Sequence, residues 1–255
     1  ILKMESRVDR IEFKYVIPLT VRNEIISALK TSVSADQNGD ANAHYPIISQ
    51  YYDSVDRSCY WEKQDGLKHR RKLRVRAYGE NDGPTKPAVF VEVKHKSDSR
   101  GVKRRLNAPM SIALALAAGT RETFEAYKKS SCRYERMVVD EVLSLVTIRG
   151  FQPNVAIRYD RLAFQGGVGL DDLRITFDYD LRCRFRYLEL TPNCQDFDHY
   201  IIDRDLCIME LKTIGSVPIW LCKMLSKFQL RPQSFSKYCN AIEQFDPGFV
   251  RSKIK

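Results

Sequence analysis

Lys72-Leu73-Arg74-Val75-Arg76 constrains this chain more than any other stretch, because it alternates like a strand and one face of that strand is wholly cationic. Successive strand side chains point to opposite faces, so Lys72, Arg74 and Arg76 share one side while Leu73, Val75 and Ala77 take the other. The pattern recurs. Glu92, Lys94 and Lys96 oppose Val91, Val93 and His95, and Arg158 and Asp160 oppose Ile157 and Tyr159. Arg174, Thr176, Asp178 and Asp180 oppose Ile175, Phe177 and Tyr179, and Glu210 and Lys212 oppose Met209 and Leu211. A sheet with one apolar face on a core and one charged face in water would account for any single strand. Taken together, the strands carry too many cations for passive solvation. A sheet closing into a barrel would turn the charged faces inward, with helices covering the apolar faces. Cations brought together there repel by ~4 kcal/mol per close pair at an effective dielectric near 20, so such a lumen calls for a polyanion.

With 255 residues the chain can bury a sizeable core. It shows no Pro/Gly/Ser-rich linker and no internal repeat, so a single domain over 1–255 is expected. The 42 basic residues exceed the 32 acidic ones by 10, which points to an anionic partner. No nucleic acid is expected, since no recognition motif is present and the charge alternates within strands instead of forming a stripe. The seven cysteines are odd in number, scattered and never spaced Cys-x-x-Cys, which argues against a disulfide framework or zinc site and suits a reducing, cytoplasmic setting. The four histidines lack metal-ligand spacing. No apolar run approaches the ~20 residues that span a bilayer. The chain opens at Ile1 without an initiator Met or signal peptide, as expected of a fragment whose flanking parts could carry membrane-associated partner segments.

Along the chain, Ile11 to Ile17 reads as a strand ended by Pro18, followed by a helix to about Lys30 with Thr20 as N-cap and Val21, Ile25 and Leu29 as its stripe. Residues 34–43 read as loop. Strands are expected around Ile47 to Tyr52, Lys68 to Tyr78 and Ala88 to Lys96, with a turn at Gly79 to Pro84. Lys103-Arg104-Arg105 leads into a helical insertion over about 111–149, with Gly150 at its C-terminal end. Strands resume at Val155 to Phe164, Arg174 to Leu181, Phe185 to Leu190 and Cys207 to Lys212, and helices close the chain within 219–245. The class is α+β, dominated by an antiparallel sheet.

Placed in order, these segments resemble the catalytic domain of the vacuolar transporter chaperone (VTC) family of polyphosphate polymerases, within the CYTH or triphosphate tunnel metalloenzyme superfamily. The residues that carry the resemblance are Glu12-Phe13-Lys14-Tyr15, Tyr51-Tyr52-Asp53, Lys72 to Arg76, Glu92-Val93-Lys94 and Arg158-Tyr159-Asp160-Arg161 before Ala163-Phe164. Arg174 to Asp178, Met209 to Lys212, Pro218-Ile219-Trp220 and Ser234 to Tyr238 continue it. The resemblance covers nearly the whole chain. It implies an antiparallel β-barrel of about eight strands with a charged lumen, flanked by helices. It also implies transfer of the γ-phosphate of ATP onto a growing inorganic polyphosphate or pyrophosphate, assisted by Mn²⁺ or Mg²⁺, on the cytosolic side of a membrane complex.

By the same resemblance, Lys14, Arg74, Arg76, Lys94, Arg158 and Lys237 would carry catalysis. Arg174, Ser236, Lys103 and Lys212 would bind substrate, and Glu210 would hold the metal. Tunnel triphosphatases and cyclases begin with Glu-x-Glu-x-Lys, whereas Arg10 stands at the first Glu position here, which favours the polymerase branch. The residue types suit the chemistry independently, because phosphoryl transfer rests on positioning and charge neutralisation. Arg binds phosphate oxygens in pairs, and Lys adds movable charge. Two rival functions remain: a tunnel-type triphosphatase acting on tripolyphosphate or a nucleoside triphosphate, and a non-catalytic module binding polyphosphate or inositol phosphates. Asp178 and Asp180 are expected to partner Arg158 and Arg182, Lys103 to Arg105 could line the bore or face water, Lys72 is expected at the tunnel mouth, and Trp61 and Trp220 are read as packing residues.

Overall fold

The computed structural model describes residues 10–29, 32–36, 42–79, 88–98, 100–167, 170, 172–190 and 196–249. In chain order the elements begin β1 (Arg10–Pro18), α1 (Leu19–Leu29), β2 (Val33–Ala35), β3 (His44–Asp53), α2 (Ser58–Gln64), β4 (His69–Tyr78), β5 (Ala88–Ser97) and β6 (Arg100–Asn107). They continue α3 (Met110–Ala117), α4 (Arg121–Ser130), α5 (Arg133–Thr147), β7 (Gln152–Gly166), β8 (Arg174–Arg184), β9 (His199–Tyr200), β10 (Leu206–Ile214), α6 (Ile219–Lys227) and α7 (Lys237–Phe245). The hydrogen-bonded order is β1-β10-β8-β7-β3-β4-β5-β6, with β2 on β7 and β9 on β8. The pairs β1–β10, β10–β8, β2–β7, β3–β4, β4–β5, β5–β6 and β8–β9 are antiparallel. This is the α+β antiparallel arrangement that the alternating strands lead one to expect, and the main path has the eight strands that the family resemblance implies. The contacts fall into two compact units, one of residues 1–45, 159–181 and 202–235, the other of 46–158, 182–201 and 236–255.

In the first unit β1 pairs β10 and β10 pairs β8, so Ile11, Phe13, Tyr15 and Ile17 share a face with Leu211, Met209 and Cys207 and with Ile175, Phe177 and Tyr179. Helices α1 and α6 cover that face with Ile25, Leu29 and Leu221. Each fully buried aliphatic side chain there contributes about 1.5 to 3 kcal/mol. The helix starts at Leu19, directly after Pro18, and its first amide is satisfied by the Asp205 carbonyl at 2.7 Å, so Thr20 lies in the first turn instead of capping it. Part of the expected 34–43 loop forms β2, which pairs Val33 to Ala35 with Phe164 to Gly166. Trp220 packs against the apolar cluster.

In the second unit Leu73, Val75 and Ala77 of β4 and Val89, Val91 and Val93 of β5 are buried, as are Ala113 and Leu116 of α3 and Val138, Val142 and Leu145 of α5. The spacing of the α5 residues by four and three places them on one helix face. Gly119 ends α3 at φ +79°, and a Cβ there would stand 2.9 Å from Val146 Cγ1, so only glycine fits the corner between α3 and α4. Gly150, at φ +62°, lies past the end of α5 as expected. The short helix α2 has no counterpart in the sequence reading.

Phe185 to Leu190 is not a strand. The Leu188 carbonyl accepts from Gln50 Nε2 at 2.6 Å and the Glu189 carbonyl from Arg184 Nη2 at 2.7 Å, while Tyr187 stands at φ +50°. Side chains take the acceptors that a ladder would use, and β8 is paired instead by His199 and Tyr200. The turn over 80–84 and Cys194 lie outside the described residues.

Candidate functional site

Register decides which charges meet on the polar face of the second unit. Arg76 stands opposite Ser49 and Phe90, Arg74 opposite Tyr51 and Glu92, Lys72 opposite Lys94, and Lys94 and Glu92 opposite Lys103 and Arg105. Glu92 is the carboxylate at the centre. Arg74 reaches its Oε2 through Nε at 2.6 Å and Nη2 at 2.5 Å, and Lys103 Nζ lies 3.3 Å from Oε1. Burial opposes ionisation of Glu92, but Arg74, Arg76 and Lys103 outweigh it and hold the carboxyl well below the usual range. Arg76 is buried, donating from Nε to Ser49 Oγ at 3.0 Å and from Nη1 to Tyr78 Oη at 3.4 Å.

The phenols register the surplus of positive charge. Tyr51 accepts from Arg74 Nη1 at 3.3 Å. Burial alone would raise its pKa, yet Arg74, Arg76 and Lys237 together bring it down to about 8. Tyr78 shifts downward in the same way, burial being opposed by Arg76 and Arg74. Tyr51 stacks on Tyr238, with ring centroids 5.7 Å apart, and the Tyr238 hydroxyl donates to buried Asp53 at 2.5 Å. Asp53 also accepts from the backbone N–H groups of Ser54 and Cys59, which ties α7 to the N-terminal end of α2. Lys237 is the first residue of α7. Ser236 is its N-cap, accepting from Cys239 N at 3.3 Å, so its oxygen already serves the helix.

The first unit has a polar face of different character. Lys14 stands opposite Glu210, Glu12 opposite Lys212, Glu210 opposite Thr176 and Lys212 opposite Arg174. Lys212 Nζ lies 2.5 Å from Glu210 and 3.7 Å from Glu12, and Lys14 Nζ lies 3.1 Å from Glu12 and donates to the Phe235 carbonyl at 3.4 Å. Arg174 pairs with Asp36 at 2.7 Å and donates to Tyr45 at 3.2 Å. Arg161 grips Asp178 in a buried fork, Nε to Oδ1 at 2.6 Å and Nη2 to Oδ2 at 2.8 Å. Carboxylates and cations are therefore interleaved here, whereas cations dominate in the second unit.

Each expected site residue has a definite place. Lys14, Arg174, Glu210 and Lys212 share the polar face of the first unit, and Arg74, Arg76, Lys94 and Lys103 share that of the second. Arg158 is buried in β7. The basic segment 103–105 is strand, and it divides: Lys103 meets Glu92, Arg104 crosses to Glu141 of α5 at 2.8 Å, and Arg105 covers the Phe90 ring at 4.7 Å. Asp178 is an ion-pair residue as expected, but the guanidinium that forks onto it is Arg161, where the sequence reading named Arg158 and left Arg161 outside the site. Its signal was the second arginine of Arg158-Tyr159-Asp160-Arg161, three residues beyond the one chosen. Trp61 packs with Tyr60 and Phe249.

Among the described residues, no three His, Cys, Asp or Glu side chains gather closely enough to hold a metal ion by themselves. Glu210 and Glu12, both contacting Lys212, offer hard oxygen donors on one sheet face. That donor set fits a Mg²⁺- or Mn²⁺-type ion, which takes one or two carboxylates and completes its shell with water and phosphate oxygens.

A family model described as the VTC domain matches residues 9–246. No curated protein is significantly similar in sequence. Among solved structures, the adenylyl cyclase candidate HpAC1 from Hippeastrum, described as having a dominant triphosphatase activity, is 16% identical over 90% of this chain and 93% of its own, with a TM-score of 0.52. An adenylate cyclase candidate from Vibrio parahaemolyticus is 12% identical over 89% of this chain and 94% of its own, with a TM-score of 0.42.

Proposed function

This chain belongs to the VTC domain family, and from that membership we propose that it is a polyphosphate polymerase, moving the γ-phosphate of ATP onto the end of an inorganic polyphosphate or pyrophosphate. A terminal phosphate oxygen of the acceptor forms the new P–O bond, the bond from the γ-phosphorus to the bridging oxygen breaks, and ADP leaves with that oxygen. The observation that carries this reading is the gathering of Arg74, Arg76, Lys94 and Lys103 on one sheet face around Glu92, a positive field that also draws the buried Tyr51 phenol downward. Such a field stabilises the charge on a transferring phosphoryl group.

Arg74 and Arg76 bind phosphate oxygens, each already oriented by Glu92, Tyr51 or Ser49, so little side-chain order is lost on binding. Lys94, Lys103 and Lys237 supply further positive charge, and Lys14, Arg174 and Lys212 serve the same purpose on the first unit's face. Glu210, with Glu12, would hold Mn²⁺ or Mg²⁺, whose contribution when bound is neutralisation of phosphate charge.

Incubation with ATP and Mn²⁺, followed by resolution of products by chain length, tests the assignment. Polyphosphate longer than the primer is expected. Phosphate release without chain growth would identify a triphosphatase, the activity described for the Hippeastrum protein, and neither product would leave a binding module. Glu210→Gln is expected to abolish turnover while leaving tripolyphosphate affinity within a few-fold; unchanged turnover would remove Glu210 from the metal site.

A further inference from the structure

Strand β6 ends the hydrogen-bonded order, and β5 is its one partner among the described residues. Directly opposed residues of an antiparallel pair alternate between those that exchange both backbone bonds and those whose N–H and C=O groups point away. The Ala108 amide donates to the Val89 carbonyl at 3.2 Å, one step past the opposed pair Phe90 and Asn107. By that alternation Val102, Arg104 and Leu106 bond to β5, and Gly101, Lys103 and Arg105 turn their backbone groups outward. The Arg105 amide has the same phase, since it donates to Tyr134 Oη of α5 at 3.2 Å. Among the described residues nothing bonds to the outward amides of Gly101 and Lys103, so the edge is open beyond Tyr134.

The two sides of this edge differ in chemistry. Val102 shares the face of Arg104 and Leu106, and α5 runs beside it. Tyr134 reaches Arg105 and Glu141 reaches Arg104 at 2.8 Å, so Met137, spaced three and four residues from them, lies on the same helix flank. Val102, Tyr134 and Met137 are all exposed. On the opposite face Lys103 lies 3.3 Å from Glu92, and Arg105 covers the Phe90 ring and meets no carboxylate among the described residues. Cations on an edge strand keep like strands away. A second copy of β6 would bring the same cations against Lys103 and Arg105, whereas a strand with carboxylates on one face and aliphatic side chains on the other matches both sides of the edge.

We propose that the open edge of β6 is a docking site for an extended acidic segment of a partner protein, added antiparallel as one further strand, with carboxylates opposite Lys103 and Arg105 and apolar side chains against Val102, Tyr134 and Met137. Main-chain bonds to Gly101 and Lys103 supply affinity, and the alternation of charge supplies selectivity. A residue directly opposite Lys103 shares its face and exchanges backbone bonds with it, so the acidic residues of the partner also donate the pairing amides.

The probe is a peptide of alternating Glu and Val with eight residues, the length of β6, titrated calorimetrically into the wild-type protein. One-to-one binding is expected. N-methylation of the central Glu amides should weaken it about tenfold through the lost main-chain bonds, whereas methylation of the Val amides should change it by no more than about twofold. A peptide of alternating Lys and Val should not bind. Arg105→Glu should cost about tenfold against the Glu peptide and gain binding of the Lys peptide. Met137→Glu should cost about fivefold, and since both positions are exposed neither variant should melt appreciably lower. A peptide held on the Arg74 face by charge alone would be indifferent to Met137→Glu and to which amides are methylated. Either indifference would overturn the docking edge, as would a wild-type protein that binds no Glu peptide. A wild-type dimer in sedimentation that Met137→Glu disperses would assign the edge to a second copy and refute the acidic partner.

Discussion

Glu92→Gln separates the two consequences of a buried carboxylate among cations, since it should weaken the fold and strengthen anion binding together. The Glu92 side chain is 1% exposed and receives two nitrogens of Arg74 within 2.6 Å. Removing one member of a buried ion pair costs about 3 to 5 kcal/mol. Two features reduce that figure: Lys103 is 45% exposed, so its share is screened by water, and Gln retains an oxygen that can accept from Arg74. The expected loss at pH 7 is about 2 to 4 kcal/mol, read from the urea midpoint at constant m-value. The folded-state pKa of Glu92 lies below an unfolded value near 4.3. The carboxylate's contribution is therefore complete above about pH 4.3 and is lost as the pH falls through the folded value, so the difference between wild type and variant should shrink on acidification. Affinity for tripolyphosphate should rise about five- to tenfold, ~1 to 1.4 kcal/mol, because one negative charge has left the binding face. A stability loss below about 0.5 kcal/mol, a loss that persists unchanged in acid, or an affinity that falls with the stability would refute this electrostatic account.

Asp178→Asn should destabilise the protein by about 3 to 5 kcal/mol by leaving the Arg161 guanidinium buried beside a neutral amide, and thermal melting measures it; a loss within 0.5 kcal/mol, the range of ordinary surface substitutions, would show that the fork is not a structural pair. The lowered Tyr51 phenol implies that tripolyphosphate affinity weakens as pH rises through about 8, because a phenolate then forms beside Arg74. Tyr51→Phe should flatten that part of the calorimetric pH profile, and an unchanged slope would assign it to another group.

Strand alternation was legible because side-chain direction follows backbone period alone. It placed Lys72, Arg74 and Arg76 on one face and the aliphatic residues of β4 and β5 on the other, and marked an apolar side on β1, β8 and β10, whereas the covering of that side by α1 and α6 came from the structure. Elements that depend on distant partners were not legible. Helix α2 is seven residues long, and its Cys59 amide leans on Asp53, which is itself held by Tyr238, 185 positions away. Phe185 to Leu190 has strand-like composition, yet Arg184 and Gln50 claim its carbonyls.

The sequence by itself therefore determined the kind of surface this protein presents, alternating faces of charge and apolar side chains in an antiparallel sheet, together with its family. Only the tertiary structure decided how those charges are distributed: cations around the central Glu92 in one unit, interleaved ion pairs in the other, and Arg161 as the holder of Asp178. The physical reason is that period fixes the face a side chain takes, whereas hydrogen-bond register between strands distant in sequence fixes the neighbour it meets, and the neighbour sets the charge balance.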